Sequence, residues 1–104
     1  MSVEPDKKLT EVSEKTFATP FGAVLMLEPE DAAPLWVDGR VQPPAISMKA
    51  PQNAKLDCIL RGRPESLARA LASNRAFESS FVSGRVTAAD DMSVLARLEL
   101  GPKA

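Results

Sequence analysis

The side chains that could do chemistry in this chain are few, and their types narrow the possible reactions. The sequence has no His and a single cysteine, Cys58. The serines of segment 79–83 therefore lack the imidazole base that a serine nucleophile needs. Cys58 alternates with Leu56 and Leu60 and has no flanking cation, a pattern typical of a buried and unreactive thiol. We expect no catalytic residue, and the protein is predicted not to be an enzyme.

Carboxylates are the other candidate groups, because Asp38, Asp57, Asp90 and Asp91 could together be imagined as a metal site. Turn chemistry explains two of these positions better. Asp38 precedes Gly39, and Asp90 and Asp91 lie between two apolar stretches, as turn-forming residues commonly do. The chain also has no glycine-rich loop. The sequence therefore predicts no metal site and no cofactor.

Composition restricts the partners and the location. The chain of 104 residues is long enough for one domain, and 13 basic against 14 acidic residues give a net charge of −1. This balance argues against binding of nucleic acid or an anionic membrane. Segment 1–15 has no apolar run, so no secretory signal or membrane span is expected. The ending GPKA is not a peroxisomal address, and we expect a cytoplasmic protein.

The first half of the chain predicts one helix followed by three strands. Asp6–Phe17 is a weakly amphipathic helix with Asp6 as its cap. Phe21–Glu28 is a continuous apolar run of strand length between two prolines. Leu35–Asp38 and Ala45–Lys49 are predicted as shorter strands, because apolar and polar residues alternate in the second and a turn follows the first.

The second half predicts a strand, two short helices and a closing hairpin. Pro64 suits the first position of a helix, and Asn74 is a plausible stop. Phe77 and Phe81 are four apart and lie on one helical face, and Gly84 ends their helix. The predicted elements are a strand at Lys55–Arg61, helices from Pro64 and from Ala76, and strands at Arg85–Ala89 and Ser93–Leu100, the last with Val94, Ala96, Leu98 and Leu100 facing inward.

The order of these elements defines the fold class. Strands come first, a helix pair follows and a hairpin ends the chain, so βαβ units do not alternate. The sequence predicts an α+β fold in which helices cover one face of a mostly antiparallel sheet. Val86 and Val94 are expected beneath the helices.

Short sequence motifs in the second half resemble those of lipid-binding domains of the sterol carrier protein type. Phe81 followed by Ser83-Gly84-Arg85 matches the family's Phe-x-Ser-Gly-Lys/Arg pattern, and Asp91-Met92 before VLARL matches its last strand. The similar part covers residues 24–100, and segment 1–20 is variable. The resemblance implies one domain over residues 1–104, with a twisted five-stranded sheet and an apolar tunnel between sheet and helices.

Three positions depart from the family pattern. Asp90 stands where the family usually has Gly before Asp-Met, which requires Asp to adopt an unusual backbone conformation. The N-terminal helix is reduced to Asp6–Phe17, and the sequence ends at Ala104 without a further helix that could cover a tunnel. We therefore expect part of the apolar surface to be covered by a second copy, which predicts a homodimer.

The apolar residues of this domain have two possible roles, ordinary core or the wall of a lipid pocket. The methionines would give such a wall an adaptable lining, and Trp36 is the sole tryptophan. The residues expected to line the pocket are Met26, Trp36, Met48, Leu67, Leu71, Phe77, Phe81, Met92 and Val94.

These features together predict a non-catalytic lipid-binding domain. Its ligand would be a fatty-acyl, sterol-like or other apolar molecule held by burial between sheet and helices. The alternative is a protein-interaction or dimerisation module with no lipid ligand. Arg61, Arg63, Arg69 and Arg75 surround the first helix of the pair and are interpreted as a solvated face, with an anionic headgroup or a partner protein as the alternatives.

Overall fold

The computed structural model describes residues 4–51 and 55–100 of the chain. Three α-helices, five strands and one 3₁₀ segment follow one another along these residues. In chain order they are α1 (Lys7–Thr16), β1 (Val24–Pro29), β2 (Leu35–Asp38), β3 (Ala45–Ser47), β4 (Cys58–Gly62), α2 (Pro64–Ala70), α3 (Asn74–Val82), β5 (Val86–Asp90) and the 3₁₀ segment (Met92–Arg97).

The strands form a single sheet in the order β3-β2-β1-β4-β5. Strands β1 and β4 are parallel, and the other three pairs are antiparallel. The predicted α+β fold with a mostly antiparallel, five-stranded sheet is therefore confirmed. None of the described helices is long and apolar enough to cross a membrane.

Successive side chains of each strand point to opposite faces of the sheet, and the two faces differ in burial. Leu25 and Leu27 of β1 are fully buried, as is Leu60 of β4, and all three belong to the core beneath the helices. The residues between them point the other way because successive strand residues alternate. Met26 pairs with Trp36 on one side and with Ile59 on the other, so these half-buried side chains form a row across the uncovered face.

The first helix and the first turn form as the sequence predicts. The Asp6 carboxylate caps α1 by accepting a hydrogen bond of 3.0 Å from the backbone N–H of Leu9. At the other end of α1, the Thr16 hydroxyl donates to the carbonyl of Leu71 at 2.6 Å and so ties α1 to the end of α2. Gly39 follows β2 where a β-carbon would lie 2.5 Å from the buried ring of Phe21, so only glycine fits.

The prediction of a last strand at Ser93–Leu100 is wrong. Residues 92–97 form the 3₁₀ segment, and no hairpin closes the sheet. Val94 and Leu98 are both buried and lie four residues apart, which is a helical spacing that the sequence also permits. The Asp91 carboxylate accepts the backbone N–H of Ser93 at 3.0 Å, and this cap starts a helical turn where a hairpin was expected.

Asp90 adopts the conformation that its place in the chain demands. Its φ of 71° lies in the left-handed region, where Asp is tolerated more readily than most residues. The turn carries the chain away from β5. Val86 and Val94 are both fully buried in the core, as expected, although Val94 reaches it from the 3₁₀ segment and not from a strand.

Candidate ligand site at the third helix

The aromatic pair singled out in the sequence lies on α3, and this helix starts earlier than predicted. Ser73 is its cap, since the Ser73 hydroxyl accepts the backbone N–H of Ala76 at 3.0 Å. Asn74 is therefore the first residue of α3, although the sequence suggested that it would stop the preceding helix. A cap that follows α2 so closely forces the two helices into a tight pair.

The C-terminal end of α3 explains the Ser-Gly-Arg pattern. Gly84 has a φ of 81°, and its N–H donates to the carbonyl of Phe81 at 3.2 Å. The N–H of Arg85 donates to the carbonyl of Ser80 at 3.0 Å. These two bonds form a Schellman motif, which satisfies the last carbonyls of the helix and needs a left-handed residue at Gly84. The motif fixes where α3 ends and where β5 begins.

Between these two fixed ends, α3 buries little of its apolar surface. The rings of Phe77 and Phe81 stack with their centroids 6.2 Å apart and an angle of 11° between their planes. Phe77 is half-buried, Phe81 is 37% exposed and Val82 is 79% exposed. Ser80 is the only residue of α3 that is fully buried. A helix whose two phenylalanines are incompletely buried has apolar area left for a further contact.

The surface below the helix layer is apolar, and its side chains are fully buried. Leu67 and Leu71 of α2 have no exposed surface, and neither do Val86 and Val94. These four residues belong to one core cluster, against which Phe77 packs. Any apolar ligand must therefore take up space that the protein's own side chains occupy in this conformation.

The structure does not bring the nine predicted lining residues together. Leu67, Leu71 and Val94 lie in the core on the helix side, and Phe77 packs against it. Phe81 stacks on Phe77 but is 37% exposed. Met26 and Trp36 lie on the opposite face of the sheet, so they do not share a space with the first group. Met48 is 52% exposed next to the edge strand β3, and Met92 is 43% exposed at the start of the 3₁₀ segment.

Charged residues line the open grooves considered on the described surface. Four of them have volumes of about 450, 360, 390 and 240 Å³, and charged or hydroxyl side chains and turns contribute most of their walls. None of these four grooves opens between the sheet and the aromatic pair. The tunnel that the resemblance implied is not present among them.

The segment after β5 closes the end of the core that would otherwise be open. Leu98 is buried, and Leu95 and Leu100 are half-buried against the core cluster. The Asn74 side chain holds this segment: its amide N–H donates to the carbonyl of Leu98 at 3.0 Å, and its carbonyl oxygen accepts the N–H of Leu100 at 2.9 Å. One side chain thereby binds the closing segment, residues 92–100, to the start of α3.

Burial and hydrogen bonding shift the pKa values of two ionisable groups at and beside β4. Cys58 is fully buried, and burial together with the nearby carboxylates of Asp90 and Asp91 raises the pKa of its thiol. Hydrogen bonds from Ser93 lower the pKa of Asp91, which keeps that carboxylate charged in its capping role. Within residues 4–51 and 55–100, no three His, Cys, Asp or Glu side chains are grouped so as to hold a metal ion.

Two structurally important residues of this region were missed in the sequence. Asn74 makes contacts 24 and 26 residues away, and no local pattern reports such a distant pairing. Ser80 lies within a polar stretch of α3 that reads as solvent-exposed, yet it is 2% exposed. Its position between Phe77 and Phe81 on the same helical face was the available signal.

Comparison with known proteins places the fold. No family model matches the chain, and no curated protein does. Solved structures do match: a ubiquinone synthesis protein described as UbiJ-SCP2 has a TM-score of 0.61 at 16% identity, covering 85% of this chain and 83% of its own. The apo form of sterol carrier protein 2 from Yarrowia lipolytica has a TM-score of 0.55 at 12% identity, covering 88% and 77%.

A third match, sterol carrier protein domain 2 of Helicoverpa armigera, has a TM-score of 0.53 at 9% identity, covering 86% of this chain and 66% of its own. The chain therefore has the sterol carrier protein fold, and the resemblance seen in its sequence is confirmed at that level. Identities this low establish the fold alone.

We predict that Asn74→Ala releases the closing segment without unfolding the core. Two hydrogen bonds are lost, each contributing about 1 kcal/mol. The Leu100 amide, which donates to Asn74, should exchange with deuterium at least about fivefold faster in the variant. Amide exchange followed by NMR measures this, with Arg75→Ala on the same helix as the control. Equal exchange rates of the Leu100 amide in Asn74→Ala and in the wild type would show that Asn74 does not hold the closing segment.

Proposed function

We propose that this protein binds an apolar, lipid-like molecule beneath α3, by burial and without catalysis. The observation that carries the proposal is the aromatic pair. Phe77 packs against the core cluster that contains Leu67 and Leu71. Phe81 stacks on Phe77, and both rings remain incompletely buried. An acyl chain or ring system inserted beside them would bury the remaining aromatic area.

Binding of this kind requires α3 to move, because the core residues beneath it are fully buried. The helix is the natural element to yield, since Ser80 is the only one of its residues that is fully buried. Elements with few buried apolar contacts open at the lowest free-energy cost. An apolar ligand would replace the side-chain contacts that are lost when α3 lifts.

The selectivity of such a site would be modest. Each buried methylene contributes about 0.8 kcal/mol, so chain length alone separates related ligands weakly. The structures that share the fold support an apolar ligand in general terms, because their names refer to sterol carriers and to ubiquinone synthesis. Sequestration in a cytoplasmic compartment, as the sequence predicts, would be compatible with this function.

We predict that Phe81→Asp abolishes binding of a fluorescent fatty acid while the protein stays folded. Phe81 is 37% exposed, so its replacement by Asp does not place a charge in the fully buried core. A carboxylate in the ligand space would weaken binding at least about tenfold. Fluorescence titration measures the affinity, and thermal melting establishes that the variant is folded.

Val82→Asp is the matched control, because Val82 is the next residue on α3 and is 79% exposed. This variant should bind the fatty acid as the wild type does. If folded Phe81→Asp and Val82→Asp bind equally well, the ligand does not lie beside the aromatic pair.

A second candidate, the dimerisation module, is favoured by the row of side chains on the uncovered sheet face. Trp36, Met26, Ile59 and Ala89 are successive neighbours across four strands, and all four are half-buried in the single chain. The sequence predicts a dimer because part of the apolar surface would stay uncovered. Residues 92–100 cover the core at that end, so this reason for a dimer is weaker. A second copy stacked on this row would bury the remaining apolar area.

We predict that a dimer, if it forms on this face, changes the emission of Trp36, which is the sole tryptophan. Sedimentation equilibrium and fluorescence over a micromolar concentration range measure both properties on the same samples. Trp36 emission should shift to the blue in step with dimer formation, and Met26→Glu should abolish both changes. A monomer at all concentrations, with constant emission, would rule the dimer out.

A further inference from the structure

One of the surface grooves lies between α2 and the end of α3 and differs from the others in charge. Its volume is about 240 Å³, and its walls are Glu65, Ser66 and Arg69 of α2, Ser80 of α3, and Arg85 after the Schellman turn. Two guanidinium groups and one carboxylate give these walls a formal charge of +1. The largest of the four grooves has five carboxylates and one arginine, and the other two have equal numbers of each sign.

The two arginines of this groove have no ionic partner in the described part of the chain. Arg40 is bound by Asp38 at 2.8 Å, and Arg61 by Glu28 at 3.3 Å. Arg69 and Arg85, in contrast, form no ion pair with any residue of 4–51 or 55–100. A guanidinium that is not neutralised within the protein is available to an external carboxylate or phosphate, which it can bind with two parallel hydrogen bonds.

The floor of the groove connects it to the aromatic pair. Ser80 lines the groove and is 2% exposed. On α3 it lies three residues after Phe77 and directly before Phe81, so all three side chains share one side of the helix. Leu67, which is fully buried, belongs to the core cluster against which Phe77 packs. A molecule could thus place a polar end in the groove and an apolar end beneath α3.

We propose that Arg69 and Arg85 form a headgroup site for an anionic amphiphile, one whose tail occupies the space under α3. The proposal rests on the proposed function and narrows its ligand class to molecules with a carboxylate or phosphate head. The serine hydroxyls of the groove would donate further hydrogen bonds to the head. Glu65 lines the groove with a negative charge that repels an anion. Replacing Glu65 by a neutral residue should therefore tighten anion binding.

The experiment compares three pyrene-labelled probes with the same chain: a fatty acid, its methyl ester and the corresponding alkyl phosphate. Fluorescence titration gives the affinity of each probe for the 104-residue chain. The wild type should bind the acid and the phosphate about tenfold more tightly than the ester, because the ester lacks the charge that the arginines bind. Inorganic phosphate alone should bind far more weakly than the alkyl phosphate.

Variants then separate the headgroup site from the apolar site. The double variant Arg69→Gln with Arg85→Gln should lower the affinity for acid and phosphate to that for the ester, and leave ester binding unchanged. Glu65→Gln should raise the affinity for the anionic probes about threefold. Arg75→Gln is the control, since Arg75 is exposed on α3 and does not line the groove.

The outcomes are distinct for the two proposals. Equal binding of acid and ester by the wild type overturns the headgroup site and leaves the lipid-binding function standing. Inorganic phosphate that binds as tightly as the alkyl phosphate also overturns it, because the site would then serve free anions. Failure of all three probes to bind overturns both the headgroup site and the proposed function.

Discussion

The burial of α2 between its neighbours is the interaction on which the rest of this structure depends. This helix has only seven residues and would not be stable alone. Leu67 and Leu71 anchor it, with no surface exposed, over the strands that carry Leu27 and Leu60. Helices α1 and α3 then pack against its two sides. Because the side chains of this central seam are fully buried, a ligand that contacts them must displace the helices that cover them.

The two marginal helices are held differently, and the difference has functional consequences. The first, α1, buries Leu9 and donates a side-chain hydrogen bond to the end of α2. The other, α3, is held by its ends: Asn74 binds the closing segment, and the Gly84 turn completes the last carbonyls. Its second half carries the incompletely buried aromatic pair, and the arginine-lined groove lies at its C-terminal end. A helix with a single fully buried residue is suited to open without the domain unfolding.

Local rules predicted most of the fold. Pro64 marked the start of α2, Asp6 capped α1, and the Asp38-Gly39 turn marked the end of β2. These local rules failed where the strand period of two residues and the helical period both fit the same residues. Val94 and Leu98 are compatible with a strand and with a helical turn, and the Asp91 cap favours the helical turn.

The candidate site was less predictable than the fold, because its important relations are not local. Met26 and Trp36 are apolar residues of the kind that line pockets, but strand parity places them on the far face of the sheet. The pairing of Asn74 with Leu98 and Leu100 joins residues more than twenty positions apart. The sequence interpreted the arginines near α2 as a solvated face, and only the packing of α3 beside α2 brings Arg69 and Arg85 to one groove.

The central claim is that α3 is the element that opens to admit an apolar ligand. Amide hydrogen exchange, measured residue by residue with and without a saturating fatty acid, tests it most directly. In the free protein, the amides of α3 should exchange at least about tenfold faster than those of α2 and β1, and the ligand should slow them selectively. Amides of α3 that are as protected as those of α2 in the free protein and unchanged by bound fatty acid would contradict the account.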